Sequence, residues 1–156
     1  MAPATPVQIP LLYRALFLYI EPLGALLGAL LLHWRPQPFL NTMAPGLGPA
    51  AGHQVVYDML CATYVLFAFN EAVLLRLRPG DLAVWRAVLA GILLCDAIHL
   101  YGSAGALGPA VFWDPRRWRW EDAVNLGSLW GQGAVRVAFL CGVGLPSVVG
   151  GKGKRV

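Results

Sequence analysis

Five ionisable side chains sit inside long apolar runs of this chain: Glu21, Glu71, Asp96, His99 and Arg136. Carboxyls and imidazoles in a low-dielectric setting are suited to proton transfer. A carboxyl out of water can hold a proton near neutral pH unless a cation keeps it ionised, and a histidine sharing a site with a carboxylate titrates in the useful range. Asp96 and His99 stand at an i, i+3 spacing, which sets them on neighbouring turns of one helix face, with Asp58 and Asn125 expected at the same side of the membrane. Glu21 and Arg136 fall at similar depths in antiparallel runs, so the two are expected to pair. Glu71, beside Asn70, is expected toward the other end, within reach of Arg14 or Arg86. Two readings stay open: buried ion pairs that lock helices in register, or acid and base groups at work. A metal on Asp96 and His99 would need a third ligand that the chain does not offer at recognisable spacing, so neither metal nor cofactor is expected.

The elements that must position these groups are the apolar runs themselves. A hydrocarbon core about 30 Å thick takes about 20 helical residues to cross. Runs at about 11–32, 55–75, 82–101 and 123–145 meet that length, which predicts an all-α bundle of four transmembrane helices in a single domain covering residues 1–156, with a basic tail at 150–156. Period-two alternation is missing, so barrel strands are excluded. In the fourth run Asp122, Asn125, Leu129, Gln132 and Arg136 recur at helical spacing, so its polar atoms share one inward stripe. Pro22 removes a backbone donor and leaves the Leu18 carbonyl free, bending the first helix beside Glu21.

Between the runs, Pro and Gly residues make residues 33–54 a surface loop, and Pro79 with Gly80 makes a tight turn that predicts antiparallel neighbours in the second and third helices. The segment WDPRRWRW alternates Trp113, Trp118 and Trp120 with arginines, as an interfacial anchor does. Gly24 and Gly28 in the first run, and Gly127 and Gly131 in the fourth, have the four-residue spacing that lets helices approach closely, which predicts a contact between those helices or a homo-oligomer through the same faces.

Hydrophobic residues make up 58% of the chain and charged residues 13%, too little polar surface to coat a soluble domain of this size, so the expected partner is the lipid bilayer. The net charge of +4 resides on a short tail and on arginines flanking the helices, and therefore reports orientation rather than nucleic-acid binding. Arg76, Arg78 and the tail against Arg35, Arg116, Arg117 and Arg119 predict cytosolic termini; the membrane is expected to be that of the endoplasmic reticulum. Cys61, Cys95 and Cys141, one in each of the last three runs, are expected as buried reduced thiols. The chain has no phosphate loop, dinucleotide fingerprint, zinc spacing or aspartate-rich magnesium motif.

Across LYRALFLYIEPLGALLGA, DAIHLY and WRWEDAVNLGSLWGQGAVRVAFLCGVG the chain resembles a family of short four-helix membrane proteins of filamentous fungi catalogued as a domain of unknown function. The resemblance carries over Glu21, Pro22, Asp96, His99, Tyr101, Asp122, Asn125 and Arg136 as a polar signature, with Ala123 standing where a tryptophan is expected. It implies a fungal membrane protein and brings no activity. A looser architectural likeness is to sterol isomerases and membrane-bound terpene cyclases, which set acidic residues in apolar helical bundles lined with aromatics.

The function expected on these grounds is binding of an apolar small molecule of terpenoid, sterol or polyketide type, with Asp96, His99, Glu21 and Glu71 as proton-transfer groups. Arg136, Asn125, Asp122, Asp58 and Tyr101 are the expected binding groups. The alternative is a non-enzymatic membrane scaffold or lipid-binding subunit.

Overall fold

In the computed structural model, which describes residues 7–50 and 52–146, the chain is all-α. Among the described residues six helices follow one another: α1 (Leu11–Trp34), α2 (Pro36–Met43), α3 (Gln54–Leu77), α4 (Leu82–Leu107), α5 (Pro109–Phe112) and α6 (Trp120–Leu140). The tail at 150–156 lies outside the described residues.

Local chemistry sets the boundaries. Asp81 caps α4, its Oδ1 accepting from the amides of Ala83 at 3.1 Å and Val84 at 3.2 Å, as an acidic N-cap does. Gly108 ends the same helix at a φ of 72°, a left-handed conformation open to glycine without strain. Prolines open α2 and α5, where a missing amide hydrogen costs nothing.

Helices α1, α3 and α4 contain 24, 24 and 26 residues at mean hydropathies of 2.0, 1.5 and 1.7, long and apolar enough to cross a membrane. They are the signature of an integral membrane protein. Helix α6, at 21 residues, is not among them, because Glu121, Asp122, Asn125, Gln132 and Arg136 dilute its apolar content.

The bundle consists of two leaves. Helix α1 packs along α3, and α4 along α6. At the end where the chain enters, the leaves are joined by a buried aromatic core: Tyr13 and Phe17 of α1 meet Phe139 of α6 edge-on, and Trp85 of α4 stacks on the same ring at 5.7 Å between centroids. At the other end α2 bridges α1 and α6, with Phe39 and Leu40 packed on Leu32 and Tyr57.

Two packing expectations are corrected here. Helices α3 and α4 are joined by the turn at 78–81, yet each packs mainly on another helix, so the short connection sets their order and not their contact. Helices α1 and α6 do meet, but through aromatic side chains and the Glu21–Arg136 pair: a Cβ added at Gly24, Gly127 or Gly131 would find nothing within 4 Å, and one at Gly28 would meet only Phe39, at 3.9 Å. The loop expected between the first two runs contains α2, because Pro36 starts a helix with an apolar face for α1.

Candidate functional site

Helices α1 and α3 each contain a π-helical turn, at Leu16–Ile20 and Asn70–Leu74, and the two turns touch. In the first, the Glu21 amide reaches back to the Leu16 carbonyl; in the second, the Leu75 amide reaches Asn70. Each extra residue rotates the helix locally and alters which side chain faces inward. Glu21 follows the first turn directly, Glu71 lies within the second, and both point into the bundle, 5% and 2% exposed. Pro22 explains one further contact. The Leu18 carbonyl, which an α-helix would pair with the amide of residue 22, instead accepts from Arg76 Nη2 at 2.6 Å, and that guanidinium lies over the Tyr19 ring at 4.6 Å.

Arg136 of α6 enters this setting with its side chain 3% exposed. Its Nη2 donates to Glu21 Oε2 at 2.6 Å, its Nη1 donates to Asp96 Oδ2, and Glu71 Oε1 lies 3.9 Å from Nη2. One guanidinium therefore joins carboxyls from three other helices. Glu71 and Glu21 both approach Arg136 Nη2, which sets the two carboxyls on the same side of the guanidinium. Among the described residues neither Glu21 Oε1 nor Glu71 Oε1 has a hydrogen-bond donor, and Arg136 Nε has no acceptor. Two carboxylates are both acceptors, so a proton on one lets it donate to the other. Three carboxyls and one guanidinium form a neutral cluster only when two protons are bound, and in a medium without water neutrality is strongly favoured.

This cluster forms the polar end of a half-open cavity of about 590 Å³ between the leaves. Its walls are apolar and aromatic at Phe39, Tyr64, Phe67, Ile92 and Leu129, with His99, Asn125 and Gln132 as polar points along it. Cavities of about 300–1,000 Å³ with apolar walls and few polar groups suit small-molecule ligands.

The placement of the expected site residues differs from their expected grouping. Glu21 and Arg136 pair as expected. Asp96 is hydrogen-bonded to Arg136, and the expected Asp96, Asp58 and Asn125 group does not form: Asp58 pairs with His33 Nδ1 at 2.7 Å and Gln54 at 2.8 Å on an exposed edge, and Asn125 donates to Ser103 at 3.4 Å. Glu71 joins the central cluster rather than Arg14 or Arg86, because the π turn swings it inward. Tyr101 points outward, 84% exposed. Of the thiols, Cys61 and Cys95 are half-buried and Cys141 is exposed, which corrects the expectation of three buried ones.

Asp122 serves the helix start. It accepts from the Arg119 backbone amide at 3.0 Å and from its guanidinium at 2.6 Å, closing a capping box. These bonds push the pKa of Arg119 up, and the same guanidinium donates to Asn41 Oδ1 at 3.2 Å and to its carbonyl at 3.0 Å. Arg119 and Asn41 thereby latch α2 onto α6, a contact that sequence reading missed because loop residues carry no periodic signal. Among the described residues no group of three or more His, Cys, Asp and Glu side chains is placed to hold a metal ion.

Residues 6–146 match a protein family described as a domain of unknown function. No curated protein and no solved structure matches the chain.

Proposed function

The chain belongs to that family, DUF7704, and for it we infer a membrane enzyme that takes an apolar small molecule of terpenoid, sterol or polyketide type and isomerises or cyclises it by proton transfer. The observation that carries this reading is the position of Glu21, Glu71, Asp96 and Arg136 together at one end of a cavity whose walls are mainly apolar. Glu71 is the proton donor, since it is the carboxyl least engaged by Arg136. Protonating a carbon–carbon double bond leaves a cation on the neighbouring carbon. Loss of a C–H proton from the next carbon restores a double bond, so the proton is returned and no oxidant or reductant is needed. His99, which lines the same cavity, receives that proton. The one carboxyl of Asp96 and Glu21 that stays ionised against Arg136, and the ring faces of Tyr64 and Phe67, stabilise the cation.

In this reading α6 is a fourth span. It is about 31 Å long at 1.5 Å per residue, and it packs along α4 with its charge turned inward. The termini are cytosolic, on the arginine and lysine imbalance between the two sides, and the setting is the endoplasmic reticulum in fungal metabolism, the fungal part being what the family resemblance implies.

The test is a metabolite comparison of deletion, wild type and Glu71→Gln in the native host. A product lost on deletion and in Glu71→Gln, with the variant accumulating normally in the membrane, is the expected result. A product fully restored by Glu71→Gln removes the assignment. Arg136 favours the rival reading of a non-enzymatic scaffold or lipid-binding subunit, because one side chain tying its own helix to three others is also a structural lock. Under that reading deletion leaves the metabolite profile unchanged.

A further inference from the structure

The cavity has walls but must also have a way in, and the packing of the leaves restricts where that is. The seam between α1 and α6 is straddled by α2, with Phe39 over Gly28 and Asn41 held by Arg119 and by Glu121 at 3.2 Å. The end nearest the chain start is filled by Tyr13, Phe17, Trp85 and Phe139. Among the described residues the seam between α3 and α4 has no helix laid across it and is filled only at the chain-start end, where Leu75 and Trp85 join the buried core, since these two helices pack mainly on others. Leu60 of α3 and Ile98 of α4 line the cavity and are also 41% and 72% exposed on the outer surface, so the wall and the outside meet there. Both helices are long and apolar enough to span, so this opening faces acyl chains rather than water.

The polar end decides what head group fits. Three carboxyls already share the one guanidinium in a neutral cluster, so an anionic head would bring a charge with no cation left to pair it in low dielectric and is disfavoured. A neutral hydroxyl can donate to a carboxylate and accept from a carboxyl or guanidinium, and so fits the same groups without adding charge. We propose that the gap between α3 and α4 is a lateral portal through which a neutral, hydroxyl-headed amphiphile dissolved in the bilayer enters the cavity head first. This deepens the reading of the cavity as a ligand site and does not require that turnover occur.

The test is photolabelling of the full chain in phosphatidylcholine vesicles, using a photoreactive prenyl alcohol and the matching prenyl carboxylic acid at neutral pH. Labelled peptides are mapped for wild type, Ile98→Trp, Leu60→Trp and Val124→Trp. The first two place a bulky ring on exposed sites of the α3–α4 seam, and Val124, 46% exposed, stands on α6 beside the opposite seam. The expected result is alcohol labelling inside the cavity that falls severalfold in both seam variants and is retained in Val124→Trp, with the acid labelling far less. Labelling lost only in Val124→Trp, or unchanged in both seam variants, overturns the portal. Equal labelling by the acid overturns the head-group selection. Because photolabelling reads occupancy, it holds if Glu71→Gln leaves metabolites untouched, so failure of the catalytic reading and failure of the portal are separable.

Discussion

Arg76 of α3 donates its Nη2 to the Leu18 carbonyl of α1 at 2.6 Å, and so supplies the donor that Pro22 removes. A charged hydrogen bond to an otherwise unpaired carbonyl is worth about 1.5–3 kcal/mol, more than an ordinary one. Arg76→Met is therefore expected to lower thermal stability in detergent by roughly that amount. Pro22→Ala restores an amide at residue 22, so the double variant should lose less than the sum of the two single losses. Strict additivity in the melting curves would show that the two residues do not share the carbonyl.

The ion cluster makes a graded prediction. Arg136→Leu leaves three carboxyls without a cation and is expected to destabilise by about 3–5 kcal/mol, the usual cost of breaking a buried pair. Adding Glu21→Leu should recover part of that loss. Glu71→Gln alone should be the mildest change in the cluster, since its oxygen lies 3.9 Å from Arg136 rather than 2.6 Å. Equal destabilisation by Glu21→Gln and Glu71→Gln would contradict the geometry.

Asp96 and His99 share a helix face and have different jobs. Asp96→Asn removes a partner of Arg136 and should reduce both accumulation and melting temperature, whereas His99→Gln should leave both near wild type and abolish product. If Asp96→Asn is as stable as wild type in a fluorescence melt, the Arg136 contact contributes little.

The latch between α2 and α6 is open to direct measurement. Arg119→Met removes the hydrogen bonds to Asn41 and Asp122 and should speed amide hydrogen exchange across Pro36–Met43 while leaving the middle of α3 unchanged. Unaltered exchange in Pro36–Met43 would mean that Phe39 and Leu40 hold the helix without it.

Four crossings place both ends of the chain on one side of the membrane, and three place them on opposite sides. Tags at either end should therefore show the same protease accessibility in sealed vesicles, from the cytosolic face. Opposite accessibility would show that α6 does not cross.

Much of this protein follows from its one-dimensional pattern. Apolar length alone predicted the helices near 11–32, 55–75 and 82–101, found at Leu11–Trp34, Gln54–Leu77 and Leu82–Leu107, because hydrophobic runs and their Pro and Gly breaks are local properties. The inward stripe of α6 is equally legible, since helical spacing fixes which side chains share a face: Asp122, Asn125, Leu129 and Arg136 are buried and Gln132 is half-buried. The pairing of Glu21 with Arg136 followed from depth.

What depth could not predict was the company those residues keep. Glu71 joins Arg136 where a π turn rotates α3 locally, against the π turn that precedes Glu21 in α1, and Asp96 joins it from α4, which packs along α6, whereas counting residues assumes straight, regular helices starting at one plane. The separation of α3 from α4 likewise depends on which partner each helix prefers along its whole length. The turn at 78–81 carries no information about that choice, and the cavity lies where the two leaves part, between the Arg136 cluster and the end that α2 bridges. Composition and spacing determine which groups leave water; the register of one helix against another decides which of them meet.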